Sequence, residues 1–378
     1  MQIEPRLVVD GMCEVKELLQ SWTVEEFYDF SQVRLQHDRI YIVGRKQMLD
    51  HRDAVRQAVD HGYKIVYSNP FEGSDTIRKQ MIAQQLQDLF LENKVLIIGG
   101  GDMDQDWPCI QYDHFLPKIH NFQENVEQCT RTEEIYSGRD KPKKFLFLNG
   151  RGRPHRKWLL EYFIDNQLID HSIWSWLDPA SRYGRGLRYD KNGSNLMLQP
   201  RPMQLLDPKY EVDRYRPQLS NIFEDSFVKY ELFDNEWGEI YINANPYIDT
   251  YFSLVTETVF DYPYTFRTEK IWKPIAIGHP WICAANQYYY RDMHDLGFRT
   301  FGHLIDESWD QITDNQTRLK RLADVVRDLC QQDLNSFLQA AKDVCKYNQQ
   351  HLLELRDKLP RQFPDRFFQF LKKHQWMI

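Results

Sequence analysis

The sequence lacks the features of several common protein classes. No apolar run reaches the roughly 18 residues of a membrane-spanning helix, so no membrane span is predicted. The N-terminal residues lack a basic start followed by an apolar core, so no signal peptide is predicted. Only six cysteines occur, and the closest two, Cys330 and Cys345, are too far apart for a CxxC metal motif. Scattered cysteines are typical of reduced thiols, so we expect a cytoplasmic protein.

Familiar catalytic signatures are also missing. There is no GxxxxGK[ST] phosphate loop, no HExxH zinc motif and no GxSxG nucleophile elbow. The alternating Asp102, Asp104 and Asp106 lack the glycine and the closing glutamate of a calcium loop. We therefore predict no metal site. An excess of positive charge is missing as well: 48 basic residues against 55 acidic ones give a net charge of −7, which argues against a broad DNA-binding face.

What remains is the composition of a globular protein, with 42% hydrophobic and 27% charged residues. At 378 residues the chain is long enough for two domains. Residues 39–102 alternate between short apolar strands and helices, which is typical of a parallel Rossmann-like sheet. The predicted strands are 39–44, 64–67 and 95–98, and the predicted helices are 49–61 and a second one that Ser74 caps.

The same pattern starts again after a polar linker at 131–144. Strands are predicted at 145–148, 239–242, 252–255 and 281–283, and helices at 157–166, from Lys270, and through the tail 315–373, with Asp314 as a cap. The stretch 178–236 is predicted to form long loops. The fold class is thus α/β, with two Rossmann-like domains facing a cleft and a helical C-terminal tail. The predicted boundaries are 1–138, 139–350 and 351–378, and the last segment is expected to pack back on the first domain.

A basic loop follows the first strand of the second half. Between Arg139 and Lys157 there are eight basic residues and one acid, Asp140. Glycines and a helix start suit the close approach of an anion. The loop therefore predicts a diphosphate pocket, whose candidate donor-binding residues are Asn149, Gly150, Arg151, Arg153 and Arg156. The alternative is a solvated basic loop.

A second candidate stretch begins where an apolar strand ends in Glu257. Farther on, Thr268 can cap a helix whose first turn holds Glu269 and Lys270. There a carboxylate can accept hydrogen bonds from sugar hydroxyls, and Lys270 and Arg267 can meet phosphate oxygens. The alternative is an ordinary capped helix with a surface ion pair.

A family resemblance enters at these residues. The stretches 255–258, Val-Thr-Glu-Thr, and 266–270, Phe-Arg-Thr-Glu-Lys, resemble the donor-binding signature of family 10 α-1,3-fucosyltransferases, which reads approximately F-E-N-S and then Y-V-T-E-K. The resemblance covers 145–310, is specific around 251–283, and extends to bacteriophage-type relatives. Two departures are Thr258 for the asparagine and Phe266 for the tyrosine of the signature.

The resemblance implies a GT-B fold and a role for each matching residue. Glu269 would hold the nucleotide ribose, Lys270 would neutralise the diphosphate, and Arg156 would be a second phosphate clamp. Arg267 and Thr268 complete the donor-binding set, and Glu257 would help to order the sugar or the site. Transfer would be inverting and would need no cofactor besides the nucleotide sugar, which is expected to be GDP- or UDP-linked.

The acceptor side of such a site has no motif in this sequence. A base must take the proton of the acceptor hydroxyl. Glu72 and Asp102 follow predicted strands of the first domain and are, with Glu257, the candidate catalytic carboxylates. For Glu72 and Asp102, the alternative is a turn or capping role.

Three functional hypotheses follow. The preferred one is a metal-independent glycosyltransferase acting on a glycan acceptor. A variant uses DNA as the acceptor, on the strength of a basic stretch at 182–216. The third is a non-catalytic binding protein on a transferase fold, which the missing acceptor motif motivates.

Overall fold

The computed structural model describes residues 4–103, 107–121, 123–149, 153–176 and 242–376. They form an α/β structure with two parallel sheets, which confirms the predicted class and is consistent with a Rossmann-like fold. The chain groups into two compact units. The first comprises Met1–Pro117, Tyr264–Arg267 and Glu354–Ile378, and the second Lys118–Pro263 and Thr268–Leu353. The predicted boundary at residue 138 thus lies inside the second unit.

The first unit contains a six-stranded sheet in the order β2-β1-β3-β4-β5-β6, in which every pair of neighbours is parallel. Its strands are β1 Leu7–Asp10, β2 Thr23–Phe27, β3 Ile40–Gly44, β4 Lys64–Asn69, β5 Val95–Gly99 and β6 Cys109–Gln111. After β2 the chain returns to the other side of β1. The strand order therefore reverses between β1 and β3.

Helices accompany these strands, as the alternating pattern predicts. They are α1 Arg45–Asp50, α2 Arg52–Asp60, α3 Ser74–Ala83, α4 Gln87–Leu91 and α5 Phe115–Lys118, with 3-10 turns at Glu17–Trp22 and Phe30–Gln32. The central strands β3 and β5 are buried along their whole length. A sheet that is covered on both faces needs such continuous apolar strands.

The last part of the chain also packs in the first unit. Phe363, Phe367 and Leu371 are fully buried in one cluster with Leu7 and Ile42 of the sheet. Burying each large apolar side chain contributes roughly 1.5–3 kcal/mol. This segment is therefore an integral part of the core of the first unit.

The second unit contains a four-stranded parallel sheet in the order β10-β9-β7-β8. Its strands are β7 Phe145–Asn149, β8 Ser172–Trp176, β9 Phe252–Thr256 and β10 Trp281–Ala284. Within the described residues its helices are α6 Gln123–Cys129, α7 Thr132–Ile135, α8 Pro154–Asp165, α9 Ala244–Ile248, α10 Glu269–Ile277, α11 Tyr289–Asp295, α12 Asn315–Leu329 and α13 Leu334–Lys373, with 3-10 turns at Ile169–His171 and Ser308–Gln311. Helix α13 continues past Leu353 into the first unit.

Several local predictions can be compared with these elements. Asp314 caps α12 by accepting from the N–H of Thr317, as predicted. The predicted cap Ser74 was wrong: Gly73 occupies the cap position, and Ser74 is the first residue of α3. A glycine suits this place because a Cβ would lie 3.0 Å from the side chain of Phe266. The strand predicted at 239–242 and the loops predicted at 178–236 lie outside the described residues, except for Ile242, which is not in a strand.

Candidate functional site

The strand order of the second sheet reverses between β7 and β9. The chain leaves β7 towards β8 on one side, and it later enters β9 on the other side. In open parallel sheets, ligands bind at the carboxyl ends of the strands where the order reverses. The residues that directly follow β7 and β9 therefore form the first place to look for a site, and both sequence-predicted stretches lie there.

Glu257 follows β9 directly and is 0% exposed. Its Oε1 accepts from the N–H of Thr268 at 3.0 Å, and its Oε2 accepts from the Thr268 hydroxyl at 2.7 Å and the N–H of Thr258 at 3.2 Å. Burial raises the pKa of the Glu257 carboxyl. In this arrangement Glu257 positions the residue from which helix α10 starts, and direct contact with a substrate stays a prediction.

Thr268, which is 2% exposed, and the first turn of α10 form the second part of this cluster. Thr268 caps the helix, as predicted, because its hydroxyl accepts from the N–H of Lys270. The Lys270 ammonium donates to the Thr268 hydroxyl at 3.0 Å and to Glu269 Oε1 at 2.7 Å. The Lys270 side chain is 27% exposed, whereas that of Glu269 is 9% exposed. The turn therefore offers a partly accessible cation that a buried carboxylate holds in place.

Lys273 lies one turn farther along α10 than Glu269 and was not among the predicted site residues. It lies four residues after Glu269 and three after Lys270, so all three side chains share one side of α10. Burial lowers the pKa of Lys273 to about 8, and the Glu269 carboxylate works against that effect. Burial also works to raise the pKa of Glu269, but the Lys270 ammonium and then Lys273 bring it below the usual range. The spacing Glu-Lys-x-x-Lys at a helix start is the signal that could have found Lys273.

The last residue of β7 and the first turn of α8 contact the end of β9. Asn149 is 1% exposed, and its side-chain oxygen accepts from the Thr256 hydroxyl at 2.7 Å. Arg156 is 2% exposed and donates to the carbonyl oxygens of Thr256, at 2.7 Å, and Glu257, at 3.1 Å. Arg156 thus connects the first turn of α8 to the end of β9, and its contact with a phosphate stays a prediction. Arg153 occupies the cap position of α8, and the predicted residues Gly150 and Arg151 lie outside the described residues.

His155 is a second residue that the sequence analysis missed. Its Nε2 lies 3.0 Å from the carbonyl oxygen of Glu257, so this nitrogen donates. Burial lowers the pKa of His155 to about 3, and the neighbouring Arg156 adds to the effect. The imidazole is therefore neutral at ordinary pH and connects the first turn of α8 to the residue that follows β9.

Arg267 has a different environment from its neighbour Thr268. It belongs to the first unit, where its Nε and Nη2 donate to the two carboxylate oxygens of Asp113 at 2.9 and 3.0 Å. Both side chains are less than a tenth exposed. In the structure, the guanidinium that was predicted to meet phosphate is thus paired inside the protein.

Glu72 and Asp102, the other candidate carboxylates, follow β4 and β5 of the first sheet. The Glu72 side chain is 21% exposed, and its Oε1 lies 3.8 Å from Nη1 of Arg45. Asp102 is exposed and follows a run of three glycines. The two residues thus lie after neighbouring strands, at the carboxyl edge of the first sheet.

The glycine run before Asp102 accommodates another part of the same unit. A Cβ on Gly100 would lie 2.6 Å from the ring of Phe266, and one on Gly101 would lie 2.5 Å from the carbonyl oxygen of Thr265. Gly101 also forms an antiparallel bridge with Phe266. Close packing of the chain therefore explains these glycines, and no ligand is needed to account for them.

Asp10 is a buried carboxylate at the switch point of the first sheet. It ends β1, is 2% exposed, and accepts from the N–H groups of Met12 at 3.0 Å and Gly44 at 3.2 Å. Burial raises its pKa. A Cβ on Gly44 would lie 2.7 Å from Asp10 Oδ2, so the glycine at the end of β3 makes room for the carboxylate.

Comparisons with protein-family models, curated proteins and solved structures found no significant match to this chain. No helix in the described part of the chain is long and apolar enough to cross a membrane. The described residues also contain no group of three or more His, Cys, Asp or Glu side chains that could hold a metal ion.

Proposed function

We propose that this protein is a glycosyltransferase that binds a nucleotide-diphosphate sugar at the carboxyl edge of the second sheet. The observation that carries the proposal is the turn at the start of α10. There a buried glutamate, Glu257, fixes the cap Thr268, and a buried Glu269 holds the partly exposed Lys270 ammonium. The position of this turn beside a switch point is typical of nucleotide sites in parallel sheets.

The chemistry of sugar transfer suits these groups. The transition state resembles an oxocarbenium ion, and negative charge gathers on the departing diphosphate. The Lys270 ammonium and the N–H groups of the first turn of α10 can stabilise that charge, and Lys273 can add a second cation. The carboxylate of Glu269 can accept hydrogen bonds from ribose hydroxyls.

In this proposal the two units form the two halves of a GT-B enzyme. The first unit binds the acceptor hydroxyl, for which Glu72 and Asp102 are the candidate bases, and transfer inverts the anomeric carbon. The acceptor is a glycan. The DNA alternative depended on the basic stretch 182–216, which lies outside the described residues.

The test uses the purified full chain with GDP-, UDP- and CMP-linked sugars. Release of the nucleotide and the shift in melting temperature are both measured. A diphosphate donor is expected to raise the melting temperature and to be hydrolysed slowly, whereas CMP-sugars carry a single phosphate and should do less. Lys270→Ala should abolish donor binding. Lys320→Ala, which removes a 65% exposed lysine of α12, should leave it unchanged.

The possible outcomes separate the hypotheses. Binding of a diphosphate sugar without turnover, in the presence of glycan acceptors, favours the non-catalytic binding protein. The absence of both binding and hydrolysis for every donor contradicts the proposal. Equal binding by the wild type and Lys270→Ala contradicts the assignment of the site.

A further inference from the structure

A second candidate site lies at the opposite, amino edge of the second sheet. A cavity of about 380 Å³ opens there beside the residues that precede β7, β8 and β9, namely Lys144, His171 and Tyr251. The start of helix α13 completes its wall. Its volume falls in the range of small-molecule sites. None of the residues assigned to the donor site above lines this cavity.

Three lysines line the cavity, and each donates to a neutral backbone carbonyl. The Nζ of Lys141 donates to Ile248 at 2.7 Å, that of Lys143 to Asp170 at 2.5 Å, and that of Lys144 to Cys330 at 2.7 Å. Among the described residues, none of the three forms an ion pair. A lysine ammonium has three donors, and each of these contacts uses one of them.

The two acids in the wall are engaged with neutral groups. Asp333 accepts from the N–H groups of Asn335 and Ser336 and from the Ser336 hydroxyl, and so caps the start of α13. Asp140 accepts from the side-chain amide of Asn335 at 2.7 Å. Among the described residues, neither carboxylate forms an ion pair with a lysine of the cavity.

Lys141 is a buried cation among the three lysines of the cavity. It is only 8% exposed, although a buried cation is costly without a counter-charge. Its acidic neighbour Asp249 is paired with Arg139. Burial lowers the pKa of Lys141 to about 8, and the charge of Arg139 adds to the effect. The Asp249 carboxylate opposes that effect only in part, so an anion in the cavity would add counter-charge.

We propose that this cavity binds a small molecule through a phosphate or diphosphate group, at a site separate from the proposed donor site. Lys141, Lys143 and Lys144 are its binding residues. Lysine binds phosphate as a point charge, so the site recognises the charge of the anion. The residues place the ligand at the edge of the sheet where the sequence did not predict one.

Inorganic pyrophosphate is the probe, titrated calorimetrically into the full chain. The parent protein is Lys270→Ala, which removes the contribution of the proposed donor site. Saturable binding is expected at millimolar concentrations or below. Replacing Lys143 and Lys144 by Gln should weaken it about tenfold or more, the equivalent of one lost charge-assisted contact. Lys320→Ala in the same parent should bind like the parent.

The following results would contradict the proposed anion site. It is wrong if the Lys270→Ala parent shows no saturable binding, or if binding is equally strong after both lysines are replaced. If the double variant does not fold, Lys143→Gln alone decides, because its lysine is only half-buried; binding equal to the parent then overturns the site. If the Lys270→Ala protein does not bind pyrophosphate, only this inference is contradicted. If the wild type binds no nucleotide sugar, only the proposed function is contradicted.

Discussion

Replacing Glu257 tests how the start of α10 is held. Glu257→Ala removes the acceptor for two backbone N–H groups and one hydroxyl, at 3.0, 3.2 and 2.7 Å. The Thr268 hydroxyl can rotate towards another acceptor, but the two N–H groups are fixed. Each buried donor that loses its partner costs about 1–3 kcal/mol, so the substitution should cost about 2–6 kcal/mol. Glu257→Gln keeps one acceptor oxygen and should cost less than about 2 kcal/mol.

Hydrogen exchange at the Thr268 amide is the most local assay, because it reports the opening of this turn. A cost of 2 kcal/mol corresponds to an increase in exchange of about 30-fold in Glu257→Ala. Equal exchange in the wild type and Glu257→Ala would show that the carboxylate does not hold the turn, and the reasoning would be wrong.

The same pair of variants has a pH signature. Burial raises the pKa of Glu257 in the folded chain. At a pH just above the usual glutamate pKa, the folded chain therefore still holds a proton that the unfolded chain has released. The stability of the wild type should therefore fall as the pH rises through that interval. Glu257→Gln lacks this group, so its disadvantage should shrink with rising pH. A constant difference across that interval would contradict the argument.

Three further predictions concern the ion pair in the first unit, the second lysine of α10 and a helix cap. Asp113→Asn should lower the free energy of unfolding by about 3–5 kcal/mol in urea denaturation, because Arg267 then stays buried without the carboxylate of Asp113. Adding Arg267→Met should recover most of the loss, and a loss below about 1 kcal/mol would contradict this prediction. Burial lowers the pKa of Lys273 to about 8, so the affinity for a nucleoside diphosphate should fall as the pH rises through about 8. Lys273→Arg should show no such fall in calorimetric titrations. If affinity depends on pH in the same way in both proteins, Lys273 is not part of the site. Asp314→Ala should cost about 0.5–2 kcal/mol in thermal unfolding, since the carboxylate caps α12 through Thr317, and Asp314→Ser should retain most of that stability.

The fold could be predicted where strands are short, apolar and buried on both faces. The segment Val95–Ile98 is such a case, and it forms most of β5. The strands β1, β2, β6 and β8 were missed. Strand β2 reads Thr-Val-Glu-Glu-Phe, with exposed residues that suit an edge, and β6 has only three residues. Strands β2, β6 and β8 lie at sheet edges, and edge position cannot be read from local periodicity. Strand β1 is an interior strand, Leu-Val-Val-Asp, that is buried along its whole length, so its apolar run could have been found from the sequence.

The site could be predicted only as far as local sequence determines it. The cap at Thr268 depends on residues within two positions, so the pattern was sufficient. The partners of Arg267 and Arg156 lie 154 and 100 positions away in the chain. Composition could not distinguish an arginine that is available to bind phosphate from one that pairs with Asp113 or donates to a backbone carbonyl oxygen. Long-range packing decides that difference.

The most direct test of the proposed donor site is a crystal structure of the full chain with GDP or UDP. We expect the diphosphate within hydrogen-bonding distance of Lys270 Nζ and the N–H groups at the start of α10, with a ribose hydroxyl on Glu269. A diphosphate bound at the carboxyl edge of the first sheet, or only among Lys141, Lys143 and Lys144, would contradict the assignment of the donor site to the second sheet's switch point.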